Sequence, residues 1–112
     1  NGSSTPRRLN LQDLHQPNDL AVDSKGNLWV TDSYYFPGQI FIYPPGATTP
    51  SRVIEGRFVA YPYGIAIEAG AKGSVYVASL LQRVDAFKQN AYAPYAELSN
   101  GVGTPTGVFI TQ

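Results

Sequence analysis

A repeat runs through the chain, and it constrains the fold more than any other feature. Pro17-Asn18-Asp19-Leu20-Ala21-Val22-Asp23 recurs as Pro62-Tyr63-Gly64-Ile65-Ala66-Ile67-Glu68 and again as Pro105-Thr106-Gly107-Val108-Phe109-Ile110-Thr111, at spacings of 45 and then 43 residues. Behind the first two copies the register continues. Gly26-Asn27-Leu28-Trp29-Val30-Thr31-Asp32 aligns with Gly73-Ser74-Val75-Tyr76-Val77-Ala78-Ser79, and Gln39-Ile40-Phe41-Ile42-Tyr43 with Arg83-Val84-Asp85-Ala86-Phe87. A period of this length marks one supersecondary unit, built to stack on its neighbours.

Each unit holds four short candidate strands, in the first copy Leu20–Asp23, Leu28–Thr31, Ile40–Tyr43 and Arg52–Ile54. Extended stretches ahead of each repeat proline, around Arg8–Leu11, Arg52–Ile54 and Tyr95–Leu98, supply the fourth strand of each preceding unit. Turn chemistry separates the strands. Ser24-Lys25-Gly26-Asn27 is a tight hairpin signal, and Pro44-Pro45-Gly46 stops a strand because proline cannot donate to a ladder. The segments are short and rich in β-branched and aromatic residues, and no helical period is present. Leu28-Trp29-Val30, Ile40-Phe41-Ile42-Tyr43 and Gly64-Ile65-Ala66-Ile67 are nearly continuous apolar runs, which implies cover on both faces of each sheet. Without helices, sheets must cover sheets. That layout predicts an all-β fold, a β-propeller fragment of two four-stranded antiparallel blades with a partial strand at each end.

The predicted divisions are an N-terminal tail and outer strand of a preceding blade over 1–16, a first blade over 17–56, a second over 57–101, and the first strand of a following blade over 102–112. Two blades cannot close a ring, so the remaining blades of a parent chain, or further copies of this one, are expected partners. The start at Asn1 and the lack of methionine suit a processed or excised piece. Asn1-Gly2-Ser3 matches the N-glycosylation acceptor pattern and is read as a flexible terminus.

The residues carry a resemblance at this point. Residues 17–33, from Pro17-Asn18-Asp19 through Ala21-Val22-Asp23, Gly26-Asn27 and Trp29-Val30 to Asp32-Ser33, resemble the core of an NHL repeat. Ile42-Tyr43-Pro44-Pro45-Gly46-Ala47-Thr48-Thr49-Pro50 resembles linkers of secreted bacterial NHL-repeat proteins. The resemblance covers roughly residues 8 to 112 and implies an extracellular or cell-surface setting. Asn18-Asp19 departs from the family's usual residue followed by glycine, and the second unit has a longer first turn and Ser79 in place of Asp32.

Composition narrows the chemistry. Eight basic and eight acidic residues cancel, and no single-sign block is evident, so a nucleic-acid partner is not expected. There is no cysteine, hence no disulfide and no thiolate chemistry. No apolar run reaches the length of a membrane span. His15, the single histidine, lacks a nucleophile motif and its orienting acid, and no catalytic residue is assigned.

Candidate ligand-binding residues are Asn18, Tyr34, Tyr35, Phe36 and Tyr63. The loop Tyr34-Tyr35-Phe36-Pro37-Gly38 is longer than its counterpart in the second unit, and its aromatics would form a platform for a protein or carbohydrate ligand. Tyr61 and Tyr63 flank Pro62 in the same way. Pro17-Asn18-Asp19 is similar to a segment of gluconolactonase- and paraoxonase-like propellers, where the asparagine carbonyl helps hold calcium. That similarity makes Asn18 the candidate metal ligand and Ca²⁺ the possible cofactor, although Tyr63 and Thr106 at the matching positions are poor ligands. Asp23, Lys25 and Asn27 fall short of a calcium loop and are read as a hairpin turn. Asp32 is read as the cap of the turn that follows it. The expected function is a non-enzymatic binding or scaffolding module acting through loops near a channel mouth. The alternatives are part of a calcium-dependent lactonase-like hydrolase and a self-assembling structural subunit.

Overall fold

The computed structural model describes residues 9–34, 37–55, 61–79 and 83–98. The strands are β1 (Pro17–Val22), β2 (Leu28–Asp32), β3 (Gln39–Tyr43), β4 (Arg52–Glu55), β5 (Pro62–Ile67), β6 (Val75–Ser79), β7 (Arg83–Phe87) and β8 (Ala96–Leu98). They form two four-stranded sheets of order β1-β2-β3-β4 and β5-β6-β7-β8, antiparallel throughout. No helix occurs among the described residues. The two sheets are the two blades that the repeat predicts, and the third copy of the repeat lies outside the described residues.

Local chemistry makes the turns. Asp23 and Asn27 close the β1–β2 hairpin through Asp23 N–H to the Asn27 carbonyl at 3.0 Å, with Gly26 at φ +84°. Pro44 accepts from Ala47 N–H at 3.0 Å, with Pro45 and Gly46 (φ +76°) inside the turn, the residue order that a type II turn demands.

Register decides which side chains meet. Trp29 stands opposite Ala21 and Ile42, and Tyr76 opposite Ala66 and Ala86, so the two aromatics hold equivalent places. The front face of the first blade carries Trp29, Ile40, Ile42 and Ile54. It packs against Ile65, Val75, Val77 and Phe87 on the back of the second, and all eight are buried. This is the main core, a sheet-on-sheet interface of the kind stacked blades require.

The back of the first blade is covered differently. Val30, Phe41 and Tyr43 pack under Leu11 and Leu14. Residues 9–16 form no strand; they cross the sheet as an irregular strap. Tyr43 Oη donates to the Gln12 carbonyl, and Gln12 N–H to the Thr48 carbonyl at 2.8 Å. The expected cover on both faces therefore holds for β2 and β3. It fails at β1, where Leu20 and Val22 are each 58% exposed, because the strap crosses Val30, Phe41 and Tyr43 and leaves the edge of the sheet bare.

Polar contacts at one end of the strands tie the blades together. Asp23, buried beside the interface, accepts from Lys25 and Asn27 backbone N–H, from the Asn27 amide and from Trp29 Nε1, all within 2.9–3.0 Å. Burial alone would push its carboxyl up, but the donors outweigh it and hold the group below its ordinary value. Ser24 Oγ donates to Gln89 Oε1 at 2.8 Å, while Gln89 Nε2 donates to the Gly70 and Gly73 carbonyls.

Candidate functional site

At the opposite end, each blade's first strand begins with an irregularity. The pairing of β1 with β2 shifts between Pro17 and Asp19, and that of β5 with β6 shifts between Pro62 and Gly64. Asn18 and Tyr63 are the extra residues, one per blade. A bulge at a strand start re-aims its side chain out of the ladder, which is why these two positions are available for contacts the regular strand would not make.

Asn18 uses its place to join the blades. Its Nδ2 donates to Ser33 Oγ and to the Pro62 carbonyl, each at 3.0 Å. Ser33 precedes Tyr34 and Pro62 precedes Tyr63, so Asn18 sits between the backbone anchors of both tyrosines. Three of the five sequence-predicted site residues thus share one rim. Tyr35 and Phe36 lie outside the described residues.

Asp19 completes the junction. Its Oδ2 accepts Ile65 N–H of the second blade at 3.0 Å, and its Oδ1 accepts Leu20 N–H at 2.9 Å. Asp19 N–H is in turn received by Thr31 Oγ1 at 3.1 Å.

Asp32 organises the first blade's side of the rim. The carboxylate is fully buried. Oδ1 accepts Tyr34 N–H at 2.9 Å, the turn cap expected from sequence. Oδ2 accepts His15 N–H at 2.8 Å and Gln16 N–H at 3.0 Å, which anchors the strap to the same side chain. One buried carboxylate therefore positions both His15 and Tyr34. Their rings stack at 4.8 Å between centroids with 28° between planes. Tyr34 nonetheless leaves 57% of its surface exposed. His15 supports the exposed ring of Tyr34, a contact that its isolation in the sequence did not signal. Tyr61 meets the rim through N–H donation to the Pro37 carbonyl at 2.6 Å, and Tyr63 is half-buried.

Among the described residues, no three His, Cys, Asp or Glu side chains cluster in a way that would hold a metal ion. The Asn18 amide is oriented by its two donor bonds, leaving Oδ1 as the atom that could face a cation. Asp85 is the other buried carboxylate of note, on the second blade's face toward the first. Arg83 Nε donates to its Oδ2 at 3.0 Å. Burial pushes the Asp85 carboxyl up, the Arg83 guanidinium partly offsets this, and Glu97 opposite adds to it. No helix among the described residues is long and apolar enough to cross a membrane.

No curated protein is significantly similar to the chain. The NHL repeat family matches residues 14–35. That span contains the end of the strap, β1, the hairpin, β2 and Tyr34, the segment on which Asn18, Asp19 and Asp32 are carried. A match at this place, in the first of two equivalent four-stranded blades, supports an NHL-repeat β-propeller family.

Proposed function

We propose that the chain is a non-enzymatic, extracellular protein-binding module that captures an extended peptide segment of its partner on the rim formed by Asn18, Tyr34 and Tyr63. One observation carries the reading. Tyr34 is mostly exposed, yet its backbone is held by Asp32 and its ring by His15. An aromatic fixed before binding loses little conformational entropy on contact, the property that makes tyrosine an effective anchor. NHL repeats commonly serve protein interaction, which supports the same reading. Tyr63 and Tyr61 extend the surface onto the second blade.

Selection from a displayed random dodecapeptide library tests this. Peptides enriched on the unaltered protein should lose about tenfold in affinity against Tyr34→Ala, the effect of removing one aromatic hot spot. His15→Ala should weaken them less, since it loosens the ring without removing it. Failure to enrich any peptide, or enrichment indifferent to Tyr34→Ala, would overturn the proposal.

A further inference from the structure

The other end of the strands carries a second surface that the rim does not use. A cleft of about 700 Å³ opens between the hairpins of the two blades and the loop after β7. Lys25, Arg52, Lys72 and Lys88 all line it. Half of the chain's eight cationic residues thus converge on one cleft of a protein with no net charge.

The local balance is more positive than that count suggests. Asp23 is the one carboxylate in the lining, and four donors already saturate it. Arg52 is consumed by the blade junction, where its guanidinium donates to the Ala91 and Gln89 carbonyls. The three lysines are exposed, and none has an ion-pair partner among the described residues. Folding collects them from two hairpins and a loop, and no structural debt of the fold is met by placing them together. Like charges gathered without partners repel, so their convergence costs stability unless an anion answers it.

The rest of the lining indicates the kind of anion. Tyr95 lines the cleft and is 53% exposed, and a hydrogen bond between its hydroxyl and Ser74 Oγ restrains the ring. Asn27 Oδ1 and the Asn90 amide also border the cleft and make no hydrogen bond to a described residue. Amides offer donors and acceptors together, as hydroxyl groups require, and an exposed ring offers an apolar face for stacked C–H groups. The volume falls within the roughly 300–1,000 Å³ of small-ligand sites. We infer that this cleft binds an acidic oligosaccharide, with its carboxylate or sulfate groups on Lys25, Lys72 and Lys88 and a sugar face on Tyr95.

Calorimetric titration of the full chain tests the inference with four probes: trigalacturonate, a chondroitin sulfate tetrasaccharide, neutral galactotriose and an oligothymidylate. Binding of trigalacturonate identifies carboxylates as the anionic group, and binding of the chondroitin probe alone identifies sulfates. Galactotriose should not bind, and the oligothymidylate should bind more weakly than the preferred sugar. The double variant Lys72→Gln/Lys88→Gln should lose about tenfold in affinity and flatten the salt dependence. Tyr95→Ala should lose about fivefold with the salt dependence unchanged. Tyr34→Ala should bind the sugar normally, which separates this site from the rim. Both lysines are exposed, and circular dichroism checks that each variant is folded. Silence from both acidic sugars, equal binding of galactotriose, tighter binding of the oligothymidylate, or an unaffected lysine variant overturns it.

Discussion

Arg52 lies over the ring of Trp29, its guanidinium carbon 5.2 Å from the centroid, and reaches from there into the second blade. Nη1 donates to the Ala91 carbonyl at 2.7 Å, and Nη2 donates to that of Gln89. Tyr92 approaches the guanidinium from its own side, with the centroid 5.4 Å away. Burial pulls the Arg52 guanidinium below its usual value, while Tyr92 and Asp23 work against that. The residue is a staple between blades. Its planar fork satisfies two carbonyls and two ring faces at once, which a lysine ammonium cannot do.

Arg52→Ala is therefore expected to destabilise the protein by about 3 kcal/mol, from two lost charge-assisted bonds and two lost cation–π contacts. Arg52→Lys should recover less than half of that. Urea unfolding followed by Trp29 emission measures both, and a lysine variant as stable as the parent would show that charge alone matters at this position.

Asp23 makes the stability depend on acid. Its carboxyl is held below 3.8, so the stabilisation is fully present above that value and is lost as pH falls through the folded-state value. Thermal unfolding should show a drop in midpoint below about pH 4, accompanied by a change in Trp29 emission as Nε1 loses its acceptor. Asp23→Asn should remove that acid dependence and cost about 2–3 kcal/mol at neutral pH, because its NH₂ group would face existing donors. Asp85 acts in the opposite sense. Its raised value means that stability present below 3.8 is lost as pH rises through the folded-state value, so the two residues occupy separate windows.

These residues also mark how far the sequence could be read. The repeat was enough to expect two four-stranded sheets, the equivalence of Trp29 with Tyr76, and the match of Asn18 with Tyr63, because periodic patterns survive in a linear chain. The hairpin at Asp23 and the cap at Asp32 were legible from local turn chemistry. The strap was not. Its anchors, Asp32 to His15 and Tyr43 to Gln12, join single side chains to backbone groups across gaps with no period. Tyr43 read as one more apolar residue in its strand, and Arg52 as a strand start. Asp19 gave no sign of its bond to Ile65, since a polar residue near a strand end is unremarkable until the next blade is in place. The cationic cleft was invisible for a related reason: residues 25, 52, 72 and 88 become neighbours only when two hairpins and a loop point the same way.

Gly38 tests how closely the blades must approach at the rim. A Cβ there would stand 2.4 Å from Pro62 Cδ and 3.3 Å from the Asp32 carbonyl, and the backbone is at φ +124°. Gly46, at φ +76°, has open space around the same hypothetical atom. Gly46→Ala should cost only the backbone strain, about 1 kcal/mol, whereas Gly38→Ala should add a clash and reach about 3 kcal/mol. The difference between the two in urea midpoints reports the approach of the β2–β3 loop to Pro62 together with the less favourable φ at Gly38. Equal losses would mean that Pro62 can yield.

Tyr43 offers the clearest test of the strap. Its side chain is buried under Leu11 and Leu14, and burial, reinforced by the charges of Asp13 and Asp32, pushes the phenol up to about 12 from 10.0. A raised value favours the neutral phenol in the folded state. The stabilisation is then complete below pH 10 and declines as pH rises toward the folded value. Alkaline unfolding should begin above about pH 10, where an unfolded tyrosine starts to ionise. Tyr43→Phe keeps the ring in the core but removes the donor to Gln12, so it should cost about 1 kcal/mol at neutral pH and abolish this residue's share of the alkaline loss. Hydrogen exchange locates the effect. If Tyr43 holds the strap, the amide of Gln12, bonded to Thr48, should lose protection in the variant while Tyr76 in the second blade keeps its own; uniform loss across both blades would place the role of Tyr43 in the core and not in the strap.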